Sequence, residues 1–183
     1  MARARAAARP LRGDAEPRRT MQPLPIDSRR DEILAAAAAG PLVITAATGA
    51  GKSTQVPRWC RRLGRVLVVE PRRVACRGLA QRVAELEGVK LGGRVGYSVR
   101  DDHRASRETE ILFATPGMLL QWIAAGALPP CEVLILDEFH ERRQDTDLLL
   151  ALAPGLGRKL LVMSATLDGE RVARHLGGRH LHA

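Results

Sequence analysis

Residues 42–54 read Leu42-Val43-Ile44-Thr45-Ala46-Ala47-Thr48-Gly49-Ala50-Gly51-Lys52-Ser53-Thr54. Four strand-forming residues run into a small-residue loop, and a segment with helical composition follows. Gly49 and Gly51 let the backbone wrap an anion with its N–H groups turned inwards, and a helix N-terminus after them adds favourable dipole. In this strand–loop–helix setting Gly51-Lys52-Ser53 is the mark of a phosphate-binding loop. Lys52 is placed to reach the β and γ phosphates of a nucleotide, and the Ser53 hydroxyl to complete a Mg²⁺ shell. Ala46 stands where the usual pattern has its first glycine. Read without its neighbours, the stretch is also compatible with a plain tight turn between strand and helix.

Outward from this loop, apolar runs of strand length alternate with helix-length segments. Strands are expected at 42–46, 66–69, 96–99, 111–114, 133–136 and 160–163, and helices at 52–63, 72–86, 117–125, 146–153 and 168–176. Asp27 or Ser28 is expected to cap a first helix ending near Ala39, before Gly40-Pro41. Most of the strands are continuously apolar, which is how strands read when helices cover both faces of a parallel sheet. The fold class is therefore α/β, with a mostly parallel sheet.

A second chemical signal ends the strand at 133–136. Asp137 and Glu138 follow it directly, at the carboxyl end where ligands of open parallel sheets bind. Asp137 can hold Mg²⁺, and Glu138 can orient and deprotonate an attacking water. A solvated acidic turn is the alternative. The strand at 160–163 then ends in Ser164-Ala165-Thr166, which puts hydroxyls on the same sheet edge.

The 183 residues include 26 arginines but only three lysines, with a net charge of +9 and a pI near 10.8. Such a balance favours a polyanionic partner. Residues 1–30 account for +5 of the +9 and hold few large apolar side chains. Residues 1–23 are expected to be a disordered tail, or an upstream translation start with Met21 opening the natural chain; a transit peptide is a further reading. Five aromatic residues are too few for a base-stacking platform as the main binding device. Cys60, Cys76 and Cys131 lack metal-ligand spacing and are expected to be buried, reduced thiols. The uncharged run 33–51 is too polar and too broken to span a membrane, so a soluble, cytoplasmic protein is expected. His175, His180 and His182 lack a matching acid or cysteine cluster and are set aside as metal ligands. Asp101-Asp102-His103-Arg104 reads as a solvated loop, and Arg142-Arg143 as surface charge on a helix.

Taken in order, Ala46-x-Thr48-Gly49-x-Gly51-Lys52-Ser53, Asp137-Glu138-Phe139-His140 and Ser164-Ala165-Thr166 resemble the first RecA-like, P-loop NTPase domain of superfamily 2 helicases. Glu70-Pro71-Arg72-Arg73-Val74-Ala75 and Val95-Gly96-Tyr97-Ser98-Val99-Arg100 resemble motifs of the DEAH/RHA branch. Phe139, where most members have alanine, and the Leu24-Pro25-Ile26 lead-in look like the bacterial HrpB-type helicases.

The resemblance spans 24–183 and implies an ATP-dependent helicase, of a kind that usually works on RNA. It implies ATP and Mg²⁺ bound by Thr48, Gly49, Ala50, Gly51, Lys52, Ser53 and Thr54, with Ser53 and Asp137 on the metal, and Asp137 and Glu138 running hydrolysis. It places Arg82 against the adenine ring and assigns His140, Ser164 and Thr166 to coupling. Arg72, Arg73 and Thr115 would contact the backbone of single-stranded nucleic acid, although Thr115-Pro116-Gly117 departs from the branch's Thr-acid-Gly. A second RecA-like domain, which supplies arginine fingers in such enzymes, is not found within these residues. A stand-alone binding module without turnover is the other function the sequence allows.

Overall fold

The computed structural model describes residues 23–141, 144–166 and 168–183. The tail expected at 1–23 lies almost wholly outside the described residues, as do Arg142 and Arg143. A 3₁₀ turn at Pro25–Arg29 leads into α1 (Arg30–Ala39). Then follow β1 (Leu42–Thr45), α2 (Lys52–Cys60), β2 (Val66–Val69), α3 (Arg73–Glu87), β3 (Val95–Val99) and β4 (Asp102–Arg104). The order continues with β5 (Ile111–Ala114), α4 (Pro116–Ala124), β6 (Val133–Leu136), α5 (Gln144–Leu152), β7 (Lys159–Ser164), α6 (Gly169–His175) and β8 (Arg179–His182).

Eight strands form one sheet in the order β4-β3-β5-β2-β6-β7-β1-β8, parallel throughout except for the β3–β4 hairpin. The period of two along each strand divides the core. Leu42, Ile44, Val66, Val68, Val133, Ile135, Leu161 and Met163 pack on one face with Ile33, Val56, Trp59, Ala80 and Val83 of α1, α2 and α3. Val43, Leu67, Val69, Leu134, Leu136 and Val162 pack on the other with Leu119, Leu149 and Ala173 of α4, α5 and α6. Helices on both faces are the arrangement that continuous apolar strands require. The α/β, RecA-like expectation holds.

Two local expectations are corrected, and one strand is added to those expected. Asp27 does not cap a helix; it sits in the 3₁₀ turn, where its carboxylate accepts the Leu24 N–H at 2.7 Å. Residues 102–104 are an edge strand and not a solvated loop: β4 pairs with β3, the Tyr97 hydroxyl donates to Asp102 at 3.0 Å, and Arg77 pairs with Asp102 at 2.8 Å. Residues 179–182 form β8, a parallel neighbour of β1. His180 and His182 there both address the Thr45 hydroxyl, at 2.7 and 3.1 Å. The three cysteines are buried and unpaired, and burial pushes the Cys60 and Cys76 thiols up to about 12. Among the described residues no helix is long and apolar enough to cross a membrane.

Candidate functional site

Every parallel strand of the sheet delivers its carboxyl end to one edge, and the chemistry-bearing residues follow those ends. After β1 the chain turns through Gly49 (φ +82°) and Gly51 (φ +98°) into α2. Both glycines occupy the left-handed region, which L-residues enter only under strain. A Cβ on Gly51 would also sit 2.7 Å from Leu24 Cδ1. The lead-in segment is pinned there by the Ile26 N–H donating to the Ala50 carbonyl at 3.2 Å. Lys52 is 4% exposed, and its ammonium donates to the Ala46 and Ala47 carbonyls at 2.6 and 3.1 Å.

β6 brings Asp137 to the same edge. Its carboxyl is 1% exposed; Oδ1 accepts the Glu138 N–H at 2.9 Å, while Oδ2 has no hydrogen-bond partner. Burial is the main reason its pKa rises, to about 6; the Ser53 hydroxyl opposes the rise and the Glu138 charge adds to it. Glu138 holds φ +48°, rare for a residue with a side chain, and such strain concentrates at functional positions. His140 Nδ1 stands 3.2 Å from Glu138 Oε2, within ion-pair distance but outside hydrogen-bond geometry. The Phe139 N–H donates to the Met163 carbonyl at 3.0 Å, and its ring is buried against the sheet.

β7 ends at Ser164, in register with Thr45 and fully buried, with a hydroxyl oxygen that lacks a partner. Its carbonyl accepts the Ala46 N–H at 3.2 Å, so the strand carrying Ser164 is tied to the start of the phosphate loop. Thr166 is exposed.

A cleft of about 440 Å³ opens over this edge, lined by Gly49, Gly51, Lys52, Ser53, Thr54 and Glu138, with Leu24, Gln55, Arg82 and Leu86. Thr48 and Ala50 belong to the same loop, with Ala50 buried and Thr48 exposed. The residues present fit a magnesium–triphosphate group. A buried acceptor without a partner, a hydroxyl beside it, a lysine and two left-handed glycines converge on one edge. No three His, Cys, Asp or Glu side chains gather as a metal cluster among the described residues. A cation held by Asp137 and Ser53 would draw further oxygens from phosphate and water, as Mg²⁺ commonly does.

The expected nucleic-acid residues separate. Arg73 and Thr115 line a second groove of about 790 Å³ with Arg100, Asp102 and Gln121. Arg72 is drawn aside into an ion pair with Glu141. Glu70, which the sequence motif contains without a role of its own, belongs to the same edge. Glu70 follows β2 as Asp137 follows β6; it is 2% exposed, and burial together with the Asp137 charge lifts its pKa to about 7. The signal was legible, since an acid ends an apolar strand in both cases.

Residues 29–175 match the family model of the DEAD/DEAH box helicases. The chain is also 38% identical over 163 residues to the "Probable ATP-dependent RNA helicase DHR2" of Saccharomyces cerevisiae, covering 81% of the chain and 22% of that protein. The chain thus spans about a fifth of that relative's length. A phosphate loop, an Asp-Glu strand end and a Ser-x-Thr strand end on one parallel sheet edge agree with the match over most of the chain, which therefore belongs to the DEAD/DEAH box helicase family.

Proposed function

We propose that this chain is the ATP-binding first RecA-like domain, residues 24–183, of an ATP-dependent RNA helicase of the bacterial HrpB type. The observation that carries the reading is the convergence of Lys52, Ser53, Asp137 and Glu138 on one sheet edge around a nucleotide-sized cleft. Phe139 and the Leu24-Pro25-Ile26 lead-in support the HrpB-type assignment. The relative's description as an RNA helicase supports RNA over DNA as the strand tracked.

Magnesium–ATP, when bound, supplies the phosphoanhydride to be cleaved. The loop amides from Thr48 to Thr54 cradle its phosphates, and Lys52 exchanges its two carbonyl partners for phosphate oxygens. Ser53 and Asp137 would hold the Mg²⁺, which would neutralise charge on the phosphates. Glu138 Oε accepts the proton of the attacking water, and its strained backbone keeps that carboxylate turned towards the cleft. Arg82, at the far side of the cleft, covers the base. His140 touches Glu138, and Ser164 is bonded through its backbone to Ala46. With Thr166 they are the residues able to report the nucleotide state to the strand-binding side. There Arg73 and Thr115, joined by Arg72 once it leaves Glu141, would hold the backbone of single-stranded RNA, contacts that fix position without reading sequence.

Titration with a fluorescent ATP analogue tests the reading on wild type, Lys52→Ala and Glu138→Gln. Lys52→Ala is expected to lose binding by about 100-fold, the scale of a charge-assisted contact pair. Glu138→Gln is expected to bind as wild type does. Equal binding in all three proteins would overturn the assignment.

A further inference from the structure

The opposite end of the sheet carries a second cleft. Arg65 precedes β2, Glu110 precedes β5 and Cys131 lies just before β6, so these residues mark the amino ends of parallel strands whose carboxyl ends face the nucleotide cleft. Between them is a cleft of about 590 Å³, floored by Leu67 and Leu112 and walled by Trp122, Pro129 and Pro130. Of the five aromatic residues, Trp59, Tyr97, Phe113 and Phe139 are buried; Trp122 alone is partly open, and it opens here.

The rim is cationic. Arg65 and Arg107 flank the cleft, and both continue into an adjoining groove with Arg61, Arg62 and Arg94. Of the three carboxylates of that groove only Glu110 is ion-paired, while Glu108 and Glu132 form no ion pair among the described residues and are outnumbered by the arginines. Glu110 takes Arg61 and Arg94, each at 3.0 Å, and Glu132 accepts the Arg65 backbone N–H at 2.6 Å. Arg62, Arg65 and Arg107 are exposed, and none of them forms an ion pair among the described residues. The Arg65 guanidinium is steadied by the Arg107 carbonyl at 3.3 Å. A half-buried indole with one part facing an apolar-floored cleft, beside guanidinium groups without an ion pair, is the chemistry that holds a flat ring joined to an anion.

We propose that this cleft is a second contact for single-stranded RNA, seating one nucleotide with its base against Trp122 and its phosphates on Arg65 and Arg107. The aromatic wall favours a nucleic acid over an acidic peptide, because a ring beside guanidinium groups suits a base joined to a phosphate, whereas an acidic peptide needs the cations alone. The site lies across the sheet from the phosphate loop and does not depend on how that loop works. A strand held at both ends of the domain would be retained between cycles of the nucleotide cleft.

Tryptophan fluorescence reads the cleft directly, since Trp59 is buried and Trp122 is not. The 183-residue chain is titrated with a short single-stranded oligouridylate. Saturable quenching is expected in wild type, persisting when a non-hydrolysable ATP analogue is present. Trp122→Phe should abolish the quench while anisotropy of a labelled strand still reports binding. Arg107→Ala alone, at an exposed position that folding does not need, should raise the quench midpoint several-fold. Arg65→Glu with Arg107→Glu should raise it about tenfold or more and lower the log–log salt slope by about one to two. Absence of a quench, or a midpoint unmoved by the arginine changes, would overturn the proposal. So would uridine monophosphate matching the oligomer, which marks a free-nucleotide pocket, or polyglutamate matching it, which marks a peptide site.

Discussion

Glu70 and Asp137 end neighbouring strands, and each carboxyl is buried more deeply than its charge favours. Glu70 titrates near 7 in the fold against an ordinary 4.5, so the folded state binds its proton more tightly than the unfolded chain does. Its contribution to stability is complete below the ordinary value and is lost as pH rises through the folded value. Glu70→Gln keeps an acceptor for the Arg72 N–H, which Glu70 Oε1 takes at 3.2 Å, and removes the titration. Relative to wild type, its melting temperature is expected to rise between about pH 5 and about pH 8, as thermal melts across that range would read. A constant difference would mean that Glu70 does not titrate there. The sequence identifies Lys52, Asp137 and Glu138 because their chemistry sits in fixed spacing. It does not display the Arg72–Glu141 pair or the coupling of Glu70 to Asp137, since both depend on which strands become neighbours.

At the level of the elements, continuous apolar runs identify β1, β2, β5, β6 and β7 closely, because strands buried on both faces leave no other reading. β4 and β8 escape that reading for one physical reason. Edge strands bury few side chains, and Asp102-His103-Arg104 and Arg179-His180-Leu181-His182 are largely polar. The β3–β4 hairpin nonetheless constrains its partner tightly. A Cβ on Gly96 would lie 2.4 Å from the Arg104 carbonyl and 2.9 Å from Ala105 Cβ. Gly96→Ala is expected to destabilise the fold by roughly 1–3 kcal/mol, the cost of overpacking against backbone. Differential scanning calorimetry should then show a melting temperature lowered by several degrees. An unchanged transition would mean that the hairpin yields without cost. The change leaves Lys52 and Asp137 in place, so nucleotide binding at low temperature should survive it.

For the molecule as a whole, the nucleotide cleft is lined on one side by the phosphate loop, Arg82 and Glu138 and is open to solvent on the other. A partner domain bringing arginines across that opening is worth about 10³–10⁵ in turnover in related nucleotide hydrolases. The 183 residues are therefore expected to bind ATP and to hydrolyse it at least about 10³-fold more slowly than a two-domain relative, with little stimulation by RNA. A coupled ATPase assay with and without single-stranded RNA measures both; robust stimulated turnover would show that one domain suffices. Charge is also better apportioned at this scale. Residues 24–183 carry +5, and their cations gather at two ends of the sheet, around Arg73 and Arg100 at one and around Arg62, Arg65 and Arg107 at the other.

The position of β8 has a consequence for how the chain behaves in a crowded solution. β1, which carries the phosphate loop, is an interior strand only because β8 pairs along it from Leu42 to Thr45. A fragment ending before Gly178 would leave Leu42-Val43-Ile44-Thr45 as an open sheet edge, apolar and unguarded by charge. Such edges template the pairing of one chain with another. The four residues of β8 thus act as a guard against aggregation, shielding the strand on which the nucleotide site is built.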